Sequence, residues 1–172
     1  SQKSPPVAMA ADITLAAYHL PLDGHPVLGN GAQLARALGL TDIEAFWPYK
    51  GMPVGVTGRI DPAEDLEAFR ERLHGQFASW LEFTEGPERL SRVAIVTGGG
   101  HQALAEAAWS GCDALITGEA SEPVMHVARE EHIHFFGAGH HATETYGVRA
   151  LAEWLPKHFD VEAEFVDIPN PV

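Results

Sequence analysis

From about residue 92 onward the sequence alternates short apolar runs with amphipathic stretches. Strands are read at 93–97, 114–117, 132–136 and 164–168, with helices between them at 102–110, 122–130 and 143–159. That alternation predicts right-handed βαβ crossovers and a mostly parallel sheet, so the expected fold class is α/β. It also says where to look for function, because ligands of such sheets bind beyond the carboxyl ends of the strands.

At those ends lie T-G-G-G-H at 97–101, T-G-E at 117–119 and G-A-G-H at 137–140. Three converging loops would bring His101, Glu119 and His140 into one neighbourhood. The third loop continues as G-H-H-A-T-E at 139–144, where His140 and Glu144 are four residues apart. If a helical turn begins at His140, the imidazole and the carboxylate share a face and can share a divalent metal. A plainer reading stays open: a histidine capping a helix, and Glu144 as a first-turn acid favoured by the helix dipole. Four of the ten histidines, His132, His134, His140 and His141, crowd into this stretch.

The upstream part is less regular. A strand is read at 13–18, followed by an irregular loop in which Pro21, Gly24 and Pro26 restrain His19, Asp23 and His25. A helix is expected from Asn30 as its cap to a stop at Gly39. The aromatic, proline-rich run 46–53 reads as a linker or covering loop, which divides the chain into 1–50, the remainder of a first lobe, and 51–172, a second lobe. Residues 54–60 alternate like a strand, and D-P-A-E at 61–64 reads as the start of a helix running to about Phe77.

Composition excludes several classes. A formal charge of -13 disfavours a nucleic-acid backbone or an anionic membrane as partner. The single cysteine, Cys112, cannot form an internal disulfide and reads as a small buried thiol, which suits a reducing, cytoplasmic setting. No apolar run approaches the ~18 residues of a membrane span, and no secretory signal is visible. The chain starts at Ser1 without a methionine, as if its beginning lay further upstream.

Gly98, Gly100 and Ala103 fit G-x-G-x-x-A between a strand and a helix, and Glu119 sits near where a ribose-binding acid would stand, so dinucleotide binding is an alternative. A plain tight turn satisfies the same glycines. No P-loop lysine and no G-x-S-x-G elbow occurs. Carboxylates and histidines on converging loops are instead the material of a hydrolytic metal site.

Three stretches taken together resemble one family: H-L-P-L-D-G-H-P at 19–26 with L-G-N at 28–30; T-G-G-G at 97–100 with A-L-I-T-G-E at 114–119; and G-H-H-A-T-E at 139–144 with I-P-N-P at 168–171. The sequence looks like a member of the Nif-three-like family, the GTP cyclohydrolase I type 2 homologues that include the bacterial YbgI-type proteins. The resemblance implies a two-lobed α/β protein with a dinuclear metal site in the cleft between lobes, assembled as a toroidal homohexamer. Its metal ligands fall on Asp23, His140 and Glu144, while His19, His25, His141 and Glu119 are second-rank candidates around them. Two further ligands of the family, adjacent histidines in V-H-H-G upstream of H-L-P-L-D, have no counterpart here, so the amino-terminal part of the first lobe is expected to be missing.

The resulting expectation is a metal-dependent hydrolase of a small or nucleotide-like substrate. Glu119 or His101 would move protons, and the divalent ions would be Zn, Mn, Fe, Co or Ni. The alternative is a non-catalytic protein for metal binding, delivery or regulation.

Overall fold

A computed structural model describes residues 10–168 and residue 170. In chain order the elements are α1 (His19–Asp23), α2 (Asn30–Ala37), β1 (Thr41–Tyr49), β2 (Met52–Asp65), α3 (Leu66–His74), β3 (Leu81–Thr84), β4 (Arg89–Val96), a 3-10 turn (Gly100–Ala103) running into α4 (Leu104–Trp109), β5 (Ala114–Thr117), α5 (Val124–Glu130), β6 (His134–Gly137), α6 (His140–Thr143) and α7 (Tyr146–His158). The strands form one six-stranded sheet in the order β1-β2-β4-β5-β6-β3. β4, β5 and β6 are mutually parallel, as their βαβ spacing predicts. β2 and β3 flank this trio antiparallel, and β1 pairs antiparallel with β2, so β1 and the trio share one direction.

Period-two burial explains why this sheet needs helices on both faces. Val93, Ile95, Ala114, Ile116 and Phe136 point into a core with α2 and α3, where Leu34, Phe69 and Leu73 are fully buried. The alternate residues Ala94, Val96, Leu115 and Phe135 face Leu104, Ala107, Val124 and Ala128 of α4 and α5. Strands buried on both faces read as unbroken apolar runs, which is why A-L-I-T is legible in the sequence. Phe69, Phe135 and Phe136 have no exposed surface, and each contributes about 1.5–3 kcal/mol of burial.

Several expectations fail locally. Residues 13–18 and 164–168 are not strands; both run irregularly, and no strand among the described residues pairs with them. Their apolar side chains are correspondingly bare, Leu15 being 75% and Ile168 73% exposed, since β-type alternation without a ladder partner fixes nothing. The run 46–53 is no linker: it ends β1, turns at Lys50 and Gly51 and begins β2, with Phe46 opposite Gly55 and Tyr49 opposite Met52. The helix expected from Asp61 starts only at Leu66. Glu64 and Asp65 still pair with Leu90 and Arg89, and the Asp65 carboxylate caps the helix by accepting from Ala68 N. The expected helix 143–159 is interrupted at Glu144 and Thr145. The residues before Ala10, and Pro169 and Pro171 of the I-P-N-P motif, lie outside the described residues.

Cys112 meets its expectation. It is buried before β5, and burial pushes its thiol up to about 11.

Candidate metal centre

Two short helical turns, each bringing a histidine and an acid four residues apart, meet at one pocket. On α1 these are His19 and Asp23, with Nε2 to Oδ2 at 3.8 Å; on α6 and the residue after it they are His140 and Glu144, with Nε2 to Oε1 at 3.3 Å. H-L-P-L-D is thus helical rather than an irregular loop. Pro21 stands in the first turn, where its missing N–H removes no bond. Donor atoms of His19, Asp23 and Glu144 all lie within 4.8 Å of one another.

Asp23 is buried, and Asn30 Nδ2 donates to its Oδ1 at 2.6 Å. Asn30 Oδ1 accepts from Gly147 N at 2.6 Å, so one amide ties α1 and α2 to the first turn of α7. Asn30 therefore does more than the capping role read from sequence, which falls to Gly29.

The opposite side is a mesh around Gly98. Its carbonyl accepts from Gly118 N, Glu119 N and Thr117 Oγ1, and its N–H donates to Thr143 Oγ1. Gly100 N donates to Thr117 Oγ1. With the N–H groups of Gly98 and Gly100 already engaged, this loop does not offer them to a pyrophosphate, which removes the physical basis of the dinucleotide reading. Gly98 has φ +62°, and a Cβ there would meet Glu144 Oε1 at 2.2 Å and His140 Nε2 at 2.9 Å. Glycine is what lets the loop approach the cluster so closely.

The electrostatics suit a cation. Burial raises the Asp23 carboxyl above its usual range, against the lowering pull of Asn30, His19 and His140. Burial likewise raises Glu144, and the Asp23 charge raises it further. Two acids held close together in a half-dry pocket are unfavourable without a counter-charge. His140 Nδ1–H donates to the Glu119 carboxylate, which raises the imidazole pKa, fixes the tautomer and turns Nε2 toward Glu144. Imidazole nitrogens and carboxylate oxygens fit Zn, Mn, Fe, Co or Ni.

The remaining sequence candidates scatter. Glu119 reaches the cluster only through His140. His101 does not join it: the ring lines a separate cavity with Ser121, Pro123 and Val124, and its enclosed Nδ1 has no hydrogen-bond partner among the described residues. His25 Nδ1 accepts from Val27 N and Leu28 N and shapes a turn. His141 faces Asp167 at 3.6 Å. His19 is the member that sequence reading underrates, although its i, i+4 spacing to Asp23 repeats that of His140 to Glu144.

Fold and site together define a mixed α/β protein with a carboxylate–imidazole cluster beyond the carboxyl ends of three parallel strands. The chain belongs to the Duf34/NIF3 (NGG1p interacting factor 3) family, whose profile it matches over residues 2–171. It is 48% identical over 166 residues to the GTP cyclohydrolase 1 type 2 homolog of Escherichia coli K12, covering 95% of this chain and 65% of that protein. It is 44% identical over 164 residues to the Haemophilus influenzae protein of the same name, covering 93% and 64%. The chain thus spans about two-thirds of the length of these relatives. Among solved structures it is similar to protein ybgI, described as of unknown function, with TM-score 0.87 and 43% identity over 96% of this chain and 66% of that one. It is also similar to TTHA1606 from Thermus thermophilus, with TM-score 0.83 and 32% identity over 98% and 66%. No helix among the described residues is long and apolar enough to cross a membrane.

Proposed function

We propose that this protein binds a divalent metal through Asp23, His140 and Glu144, joined by His19, and uses it to hydrolyse a small, nucleotide-like substrate. The observation that carries this reading is the group His19, Asp23 and Glu144, whose donor atoms lie within 4.8 Å of one another, with His140 Nε2 3.3 Å from Glu144, Asp23 buried, Glu144 half-buried and both acids held above their ordinary pKa range. The name of the relatives, GTP cyclohydrolase 1 type 2 homolog, supports a nucleotide-like substrate.

When bound, a divalent ion supplies Lewis acidity and lowers the pKa of water. Glu119 holds the Nδ1 proton of His140 and so keeps Nε2 free as a donor. Asn30 orients Asp23, leaving its second oxygen toward His19. The dinuclear centre, the two lobes and the hexameric ring expected from the family belong to the same proposal. The donors described here are enough for one ion, and an adjacent histidine pair would complete a second.

One observation favours the delivery alternative. The His19 side chain is 73% exposed, which leaves an open edge for exchange of the ion with a partner.

The test is metal content by atomic emission after loading with Zn, Mn, Fe, Co or Ni, together with turnover of GTP. Glu144→Ala should lose more affinity than the ~10–100-fold typical of removing an orienting partner, and any turnover with it. Unchanged metal content in Glu144→Ala would sink the site. Metal uptake without turnover of GTP or related compounds would favour delivery.

A further inference from the structure

The pocket holding the cluster has a second wall that the metal reading does not use. Its volume is about 210 Å³, below the ~300–1,000 Å³ of pockets for drug-sized ligands, so it admits a single small group. Besides His140 and Glu144 it is lined by Trp47, Tyr49 and Val54 from the β1–β2 hairpin, and by Gln102.

The hairpin is built to aim these rings. Trp47 has φ +57°, a conformation bulky L residues rarely adopt. Phe46 is buried in the core below, and Trp47 packs partly against the same cluster while still reaching the pocket. Lys50 also has positive φ, and its ammonium lies 5.2 Å from the centroid of the Tyr49 ring. The start of β2 is pressed against α1: a Cβ on Gly24 would sit 2.4 Å from the Pro53 carbonyl. The aromatic wall and Asp23 are therefore fixed relative to one another.

The lining contains no lysine or arginine, so beyond the two histidines and the ion of the proposed site nothing there pairs with a phosphate. The Gln102 side chain is exposed and has no hydrogen-bond partner among the described residues. An aromatic face and a free amide at the edge match a flat, uncharged ring carrying donors and acceptors on its rim.

We infer that Trp47 and Tyr49 are the specificity-determining wall for a planar nitrogen heterocycle, stacked on the hairpin and hydrogen-bonded at its edge by Gln102, with its far side turned to His140 and Glu144. The inference rests on the proposed function, naming the substrate class of that site.

The test is calorimetric titration of the full chain, metal-free and metal-loaded, with guanosine and uridine, which carry rings without phosphate, and with ribose, which carries neither. The nucleosides should bind and ribose should not. Tyr49→Ala and Trp47→Ala should each weaken nucleoside binding about tenfold, and Trp47→Phe should stay within about threefold of the parent. Metal content should be unchanged in all three. Tyr49 is 44% exposed, so its variant stays informative if Trp47→Ala disturbs the hairpin. Absence of nucleoside binding in both metal states, ribose competing as well as the nucleosides, or full affinity in Tyr49→Ala would each overturn the inference. Those results leave the metal site standing, whereas loss of metal uptake by the parent with nucleoside binding intact would strike the metal reading alone.

Discussion

The two sides of the candidate centre are held in unlike ways. On the sheet side, His140 and Glu144 sit on loops knitted together by Gly98, Thr117 and Thr143, with hydrogen bonds running to three different strand ends. On the other side, Asp23 rides on a five-residue helix, tied sideways by the amide of Asn30, and His19 stands largely in solvent. One side is part of the frame; the other is fastened to it. Preorganised donors belong to the frame, and the ease with which an ion enters or leaves should be set by the fastening.

The largest effect should come from breaking the frame. In Gly98→Ala the new Cβ falls where Glu144 Oε1 lies, and the residue must also hold φ +62°. Positive φ on a non-glycine residue and the displaced carboxylate together should remove about 3 kcal/mol of stability. Metal uptake should fall to background. Denaturant unfolding and metal content read the two parts separately, and full metal uptake would show that the sheet side adapts as readily as the other.

The same contrast explains what sequence can show. The frame is legible because parallel strands buried on both faces carry unbroken apolar runs, and because glycine-rich loops at their ends mark where backbone must pass close to something. Asp23, His140 and Glu144 are legible through motif and spacing, and the structure brings all three to one pocket. The fastened side is not. Pro21 hides a single helical turn, and Asn30 looks like a cap while its amide spans from Asp23 to Gly147. The hairpin is hidden for a related reason: prolines and aromatics in 46–53 resemble a loop, and only the pairing of Pro48 with Pro53 and Tyr49 with Met52 shows otherwise. His101 is misplaced because a strand-end position fixes the loop but not the direction of a side chain at the start of the 3-10 turn.

Loosening the fastening should have a smaller effect than breaking the frame. Asn30→Ala leaves Asp23 Oδ1 without its donor and Gly147 N without its acceptor, both at buried positions. Such orphaned groups cost about 1–3 kcal/mol. Metal affinity should drop ~10–100-fold, as when an orienting partner is lost, with uptake still measurable at high ion concentration. If Asn30→Ala abolished uptake as completely as Gly98→Ala, the two sides would be equally part of the frame.

The smallest effect isolates the charge on the fastened side. Burial holds Asp23 and Glu144 above their ordinary pKa values, so the native carboxyls keep protons that the unfolded chain would release. Their contribution to stability is therefore fully present below the unfolded value, near pH 4, and is lost as pH rises through the folded value. Asp23→Asn keeps an oxygen for Asn30 to donate to and removes one of the two charges. In chelator, the parent should lose stability relative to the variant as pH rises from about 4 toward neutrality. With metal the order should reverse, because the variant has lost a ligand. Unfolding midpoints across pH, with and without ion, give both curves. A parent that gained on the variant with rising pH in chelator would mean that Asn30, His19 and His140 return more to Asp23 than burial takes away, and that the fastened side is as settled without an ion as the frame is.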